Sequence, residues 1–279
     1  MKFVKMHGAG NDYVFVNGFK EKVSRPDRLA KNISDRHFGV GSDGLILILR
    51  SRAADLRMRM FNADGSEAEM CGNGIRCVAK YAYERGMVRK RRMAIETKAG
   101  IIPVELSVRS GKVKKIRANL GRPRLERARI PMKGPSGKVI MEPLKTSRGE
   151  FCVTAVSMGN PHAVIYVDDV ESFPVADVGS EIEHHEAFPN RTNVEFVQVL
   201  SPTKVMVRTW ERGSGETLAC GSGSAAVAVA GVLTGKTRRK IEVQLRGGVL
   251  EAEWKESDGC VYLAGPAVTV FEGEWLLRR

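Results

Sequence analysis

Two of the five cysteines, Cys71 and Cys220, stand in one setting, Cys-Gly-Asn-Gly and Cys-Gly-Ser-Gly, each leading into a segment of helical character. A glycine-rich turn that opens a helix puts a thiol beside unsatisfied N–H groups at the positive end of the helix dipole. That setting lowers a thiol pKa from its ordinary value of about 8.5, and the same N–H groups can hold a carboxylate. Two such thiols aimed at one carbon could invert it. One, as thiolate, removes the α-proton while the other, as thiol, protonates the opposite face. The carbanion is stabilised by the N–H groups that bind the substrate carboxylate. This chemistry needs no cofactor. No metal is expected either, because Cys71 and Cys77 lack the spacing of a zinc knuckle and "EHHE", residues 183–186, is the single histidine pair.

The elements that must position the two thiols follow from an internal duplication. Sliding the chain against itself by 149 residues superposes Cys71 on Cys220 without gaps and aligns much more. "HGAGNDYVFV" from His7 falls on "VSMGNPHAVI" from Val156, and "FNADGSEAEMCGNG" from Phe61 falls on "WERGSGETLACGSG" from Trp210. So long a period excludes a solenoid and implies two copies of one domain about a pseudo-two-fold axis. The expected domains are 1–120, with the tail 266–279 packing back on it, and 121–265. The site is expected between them.

Strands are expected at "DYVFVNG", "LILILR" and "LRMRMF" in the first copy and at "HAVIYVDD", "VEFVQVL" and "KVMVRTW" in the second. Ile75, Val78, Ala79 and Ala82 recur at helical spacing with Gly86 as a stop. "SAAVAVAGVL" is apolar on every side up to Gly235, as a helix buried inside a sheet or barrel should be. A further helix is expected from Pro26 to Phe38, with Leu29, Ala30 and Ile33 inward. The fold class is α+β, with two pseudo-symmetric domains.

Polar residues gather around the repeated thiols. Asn11 aligns with Asn160, Asn62 with Glu211, and Gly44 with Asn193. Asparagine is by itself an ordinary turn residue, but offset pairings beside the cysteines favour Asn11, Asn62, Asn160 and Asn193 as ligands. Glu211 and Arg212, after Trp210 at a strand end, could bind an amine and a carboxylate. His162 is given a supporting role. Cys77, Cys152 and Cys260 read as small buried hydrophobes.

Bulk properties narrow the classes. With 279 residues and 43% apolar side chains the chain can build a real core. Its start lacks an apolar signal region and its longest weakly polar run is broken by glycine, so neither export nor a membrane span is expected. An odd number of irregularly spaced cysteines is not a secreted disulfide framework, and a reducing cytoplasm is expected. The net charge of +13 is scattered apart from "RKRR", residues 89–92, which reads as a solvated turn rather than a nucleic-acid patch. The excess of cations suits a small carboxylate-bearing substrate.

With "KMHGAGNDYV", "FNADGSEAEMCGNGIRC", "VSMGNPHAV", "RTNVEF" and "ERGSGETLACGSG" in that order, the chain resembles the diaminopimelate epimerase family over essentially its whole length. The resemblance implies a cofactor-independent isomerase that interconverts LL- and meso-2,6-diaminopimelate in lysine and peptidoglycan precursor biosynthesis. Cys71 and Cys220 would then be the acid/base pair. Asn11, Asn62, Gly72, Asn73, Asn160, Asn193, Glu211, Arg212, Gly221 and Ser222 would line the substrate site, and His162 and Glu211 would modulate the thiols. It also implies a diaminopimelate epimerase-like fold, a strand layer wrapped around a central helix in each domain, and a homodimer. Gly44 stands where many relatives carry Gln, so a contact there would come from backbone. Ser222 stands where Thr is usual. Phe271 stands where some members carry a Tyr linked to dimer contacts. Proline racemases and hydroxyproline epimerases also place two cysteines across a site, but Asn62, Asn193 and Arg212 supply polar groups suited to a longer substrate. Phenazine-pathway isomerases of similar fold generally lack the cysteine pair. A non-catalytic thiol redox switch is the reading from a different class.

Overall fold

A computed structural model describes residues 1–276; the last three residues of the expected tail, 277–279, lie outside the described residues. The chain divides into two compact units, residues 1–118 with the tail from Ala264, and Asn119–Leu263. In chain order the first holds β1 (Lys2–Gly8), β2 (Asn11–Asn17), α1 (Pro26–Ser34), β3 (Gly44–Leu49), β4 (Leu56–Asn62), β5 (Glu67–Ala68), α2 (Gly72–Glu84), β6 (Arg92–Thr97), β7 (Gly100–Arg109) and β8 (Lys112–Asn119). Then come β9 (Glu142–Thr146), β10 (Gly149–Ser157), β11 (Pro161–Tyr166), α3 (Val175–Glu183), β12 (Asn193–Ser201), β13 (Lys204–Glu211), β14 (Gly215–Thr217), α4 (Gly221–Leu233), β15 (Lys240–Leu245), β16 (Gly248–Trp254) and β17 (Val261–Gly265). The tail returns to the first unit as β18 (Val268–Glu274).

The two ladders match strand for strand. In the first unit β1 runs antiparallel to β2, β2 parallel to β3, β3 antiparallel to β4, and β4 antiparallel to β5 and parallel to β6. In the second, β10, β11, β12, β13, β14 and β15 repeat that sequence of pairings. The outer edge of β1 is covered by β18 and that of β10 by β9, both antiparallel. The tail strand thus fills the place that β9 fills in the other copy.

Helices account for the continuous apolar runs in the central strands. Val14, Val16, Leu45, Leu47 and Phe61 pack with Ala30 and Ile33 of α1, while Phe15, Ile46 and Ile48 between them are buried too. A strand covered on both faces reads as unbroken hydrophobic sequence instead of an alternation. Central helix α4 packs on β10, β11, β12, β15 and β16, and α2 on β1, β2, β6 and β7. From Gly223 to Gly231 every α4 residue is buried, which explains its lack of a polar face. Both helices stop where expected: Gly86 and Gly235 take φ of +68° and +69°, a left-handed cap that suits glycine.

Two expectations are corrected and one element is added. The helix from Pro26 ends at Ser34 instead of Phe38, because the Asp35 carboxylate accepts the N–H groups of His37 and Phe38 at 2.8 and 2.7 Å and turns the chain. Helix α3 was not anticipated, although the 149-residue offset carries Pro26–Ser34 directly onto Val175–Glu183. Of the three cysteines expected to be buried, Cys77 is, but Cys260 is half-buried and Cys152 exposed, since Cys152 lies on an outward position near the start of β10.

Candidate active site

Each unit presents its thiol at the N-terminus of its central helix. Cys71 caps α2 in an extended conformation and its Sγ accepts the Gly74 N–H at 3.3 Å. Cys220 caps α4 in the same way, with the Gly223 N–H at 3.3 Å. A sulfur accepting an N–H three residues on is the N-cap pattern, with thiol in place of the usual oxygen. It explains the sequence locally: the third helix residue is glycine because a Cβ there would collide with the strand side chain beneath the first turn, Ile46 under Gly74 and Glu195 under Gly223.

Around Cys71 the polar groups form one connected set. The thiol lies 3.4 Å from Asn11 Oδ1, which also accepts the Asn73 amide at 3.2 Å. Asn11 in turn donates to Asp43 at 2.7 Å. The Tyr13 hydroxyl donates to Cys71 Sγ at 3.5 Å. Burial and the neighbouring Cys71 push that phenol well up, so it stays a donor. Arg76, wholly buried, donates to Asn73 Oδ1 at 2.7 Å and to the Gly72 carbonyl at 3.0 Å. Asp43 is tied with Asp12 to Arg36 at 2.9 Å, and Lys5 pairs with Asp12 at 2.5 Å. Burial pushes Asp43 up; at Asp12, where burial also raises, the bonds from Arg36 and Lys5 win and hold it down.

Around Cys220 the company is different. Its sulfur is 3.5 Å from Ser222 Oγ, which accepts the Asn160 amide at 3.3 Å. Asn160 Oδ1 faces His162 Nε2 at 3.1 Å, and His162 Nδ1 faces Glu195 Oε1 at 2.8 Å. Glu211 hydrogen-bonds to Cys220 and accepts the Thr217 hydroxyl at 2.6 Å. Burial pushes the Glu211 carboxyl up, and the Glu195 charge adds to that. Burial likewise pushes the Cys220 thiol well up, followed by the charges of Glu211 and Glu195, against which the bonds from Ser222 and Gly223 are too weak. The low thiol pKa expected of a helix N-terminus is therefore not found at Cys220: two nearby carboxyls and desolvation outweigh the dipole.

The remaining expected residues fall in several places. Asn62 ends β4, its amide donating to Ser66 Oγ at 3.0 Å. Asn193 is buried, donating to the Pro161 carbonyl at 2.8 Å and accepting the Arg212 N–H at 3.0 Å, so it holds the turn that presents Arg212. Arg212 is exposed and donates to the Asn190 carbonyl at 3.0 Å. Gly44 opens β3 opposite Asn62, where a side chain would collide with the Phe61 carbonyl. Its own carbonyl accepts Ser42 Oγ at 3.0 Å. Phe271 lies on β18, half-exposed, edge-on to Phe3. Glu183 of the "EHHE" run is spent on Trp210 Nε1 at 2.7 Å and the Gly213 N–H at 2.9 Å, bracing the Glu211–Gly213 turn from below. Reasoning from sequence missed Tyr13, Asp43, Arg76 and Glu195. The signal for Glu195 was there: a carboxylate inside the apolar run "NVEFV", where the other copy reads "GLILI".

A family model described as diaminopimelate epimerase matches residues 3–126 and 154–270. A diaminopimelate epimerase of Pelotomaculum thermopropionicum is 56% identical over 280 residues, covering 100% of both chains. One of Acetivibrio thermocellus is 54% identical over 274 residues, covering 98% of each. Among solved structures, a probable proline racemase from Agrobacterium radiobacter superposes with a TM-score of 0.75 at 16% identity, over 99% of this chain and 93% of that one. At that identity the likeness is one of fold.

Proposed function

The chain belongs to the diaminopimelate epimerase family and, as a member, interconverts LL- and meso-2,6-diaminopimelate; we propose that it does so by proton transfer between Cys71, Cys220 and one α-carbon. The observation behind this reading is the pair of equivalent caps, each sulfur 3.3 Å from the third amide of its helix. Cys71 starts as thiolate and takes the α-proton. The electron pair left on carbon is delocalised into the carboxylate, which helix N–H groups at Gly72, Asn73, Gly221 and Ser222 stabilise. Cys220 starts as thiol, in keeping with its two carboxyl neighbours, and delivers its proton to the opposite face. One S–H bond forms and one breaks; nothing is oxidised or reduced, and no cofactor enters.

Asn11, Asn62, Asn160, Asn193, Glu211 and Arg212 supply the polar contacts that a substrate with a second amino-acid head requires. His162 and Glu211 act through the thiols. We place the enzyme in the cytoplasm, where both thiols stay reduced, and as a homodimer, supported by the exposed Val268, Val270 and Phe271 of β18. Incubating reduced protein with LL-diaminopimelate in D2O and following the α-carbon by NMR tests the reading. Deuterium is expected at the inverted centre. No uptake under reducing conditions, or uptake with proline but none with diaminopimelate, would overturn it.

A further inference from the structure

Glu195 is fully buried, 0% exposed, in β12, one of its oxygens on His162 and the other, Oε2, without a hydrogen-bond partner among the described residues. Directly across the ladder, Thr209 also keeps a buried hydroxyl without a partner. A buried carboxylate that is only half satisfied is costly, so a purely structural position would be apolar. The duplication supplies that comparison within one molecule. The 149-residue offset places Ile46 where Glu195 stands, Met60 where Thr209 stands and Tyr13 where His162 stands, and the first unit folds around them in the same ladder. The geometry is equivalent too. A Cβ on Gly74 would meet the tip of Ile46 at 2.6 Å, and one on Gly223 would meet Glu195 Oε1 at 2.5 Å. Glycine at 223 thus lets the carboxylate lie against the first turn of the helix that Cys220 caps.

The polarity of the hydrogen bonds says what the carboxylate does there. Both ring nitrogens of His162 face oxygens, Asn160 Oδ1 and Glu195 Oε1. An amide oxygen can only accept, so Nε2 carries a proton. Nδ1 and Oε1 then share a second proton, since two lone pairs would otherwise face each other at 2.8 Å. With Nε2 committed as donor, Asn160 keeps its oxygen toward the ring and its NH2 toward Ser222, and Ser222 stays beside the thiol.

We propose that Glu195 is a positioning residue for the reaction, holding a proton against His162 Nδ1 and so fixing the order His162, Asn160, Ser222 that ends at the Cys220 thiol. Its catalytic consequence rests on Cys220 as a reacting group; its effect on His162 does not. Two variants separate order from charge. In Glu195→Gln the amide can still donate to Nδ1, so the order survives without the carboxylate. In Glu195→Ile, the residue of the equivalent position, the order is lost in a side chain that the fold accommodates.

With 15N-labelled histidine, His162 of wild type and Glu195→Gln is expected to show a protonated Nε2 at neutral pH, and Glu195→Ile a mixture of tautomers. Against LL-diaminopimelate, Glu195→Ile is expected to lose about 10- to 100-fold in kcat, the scale of outer-shell partners that orient a reacting group. Its KM should stay within about two-fold, and Glu195→Gln should keep kcat within about three-fold of wild type. A fixed Nε2 proton in Glu195→Ile, or wild-type kcat in that variant, overturns the proposal, as does a Glu195→Gln variant as slow as Glu195→Ile. If wild type itself fails to exchange the α-proton, the reading of the reaction has failed, and the tautomer measurement still decides for or against Glu195. If Glu195→Ile does not fold, Glu195→Gln alone decides: a slow variant, or one without the Nε2 proton, overturns the proposal.

Discussion

The sulfurs of Cys71 and Cys220 accept equivalent amides, Gly74 and Gly223, at the same distance, yet their surroundings have diverged. Near Cys71 the Tyr13 hydroxyl points a donor at the sulfur, and the equivalent of Glu211 is the neutral Asn62. Near Cys220 the neighbours are Glu211 and, further back, Glu195. Donors aimed at sulfur favour thiolate, and negative neighbours favour thiol. The duplication therefore supplied symmetric geometry, while substitution at a few equivalent positions made the company of the two sulfurs unequal. An inverting enzyme needs both, since two thiolates would leave nothing to deliver and two thiols nothing to abstract.

The largest test of that contrast is to remove each sulfur in turn. Cys71→Ala and Cys220→Ala should each cost about 10³-fold or more in epimerisation, but they should fail differently. Cys220→Ala keeps the resting base and should still wash deuterium into LL-diaminopimelate with retention, whereas Cys71→Ala should not. The reverse pattern by NMR would exchange the two roles.

A second test compares the repeated braces of β4 and β13. Arg59 pairs with Glu67, and Arg208 with Glu216, each at 2.7 Å through Nε. Arg208 is 9% exposed against 33% for Arg59, and it also donates to the carbonyls of Val170, Glu171 and Phe173. Arg208→Ala should cost about 1–3 kcal/mol, the scale of buried acceptors, here the Val170, Glu171 and Phe173 carbonyls, left without their donor, while Glu216 keeps Arg246. Arg59→Ala should cost about 0–1 kcal/mol, that of an exposed ion pair. Equal melting temperatures in the two variants would refute the difference.

Glu211→Gln removes one of the charges that raise the Cys220 thiol. With the pKa lowered, more thiolate is present at neutral pH, and alkylation of Cys220 followed by peptide mapping should quicken about 10-fold for a shift of about one unit. Cys71 in the same sample serves as control. Tyr13→Phe is the smallest and opposite change. Losing one donor worth about 1 kcal/mol should slow alkylation of Cys71 about five-fold; an unchanged rate would mean that the hydroxyl does not support the thiolate.

Much of this is legible in the sequence. The constant offset, the two Cys-Gly caps, the central helices and their glycine stops are local or repeated signals, and both fold class and family followed from them. Helix α3 was equally legible, but only by applying the offset to α1, since its own nine residues, broken by Gly179, are a weak pattern. The early end of α1 turned on one carboxylate choosing two backbone amides over solvent. The raised Cys220 thiol and the dyad of Glu195 with His162 depend on which buried charges meet, and adjacency in a fold is not written as adjacency in sequence. Asn193 adds a role that its spacing does not announce: both ends of its amide bond to backbone, so it also holds the turn before Arg212.

The tail strand β18 has a consequence for the order of synthesis. Its partner β1 leaves the ribosome long before it, since Val268 follows Gly8 by 260 residues. At about 5–20 residues per second, β1 waits on the order of tens of seconds with an uncovered edge. The second unit, whose covering strand β9 precedes β10, suffers no such delay. The copy translated later is therefore the first able to close its sheet, and the copy translated earlier is the last to be finished.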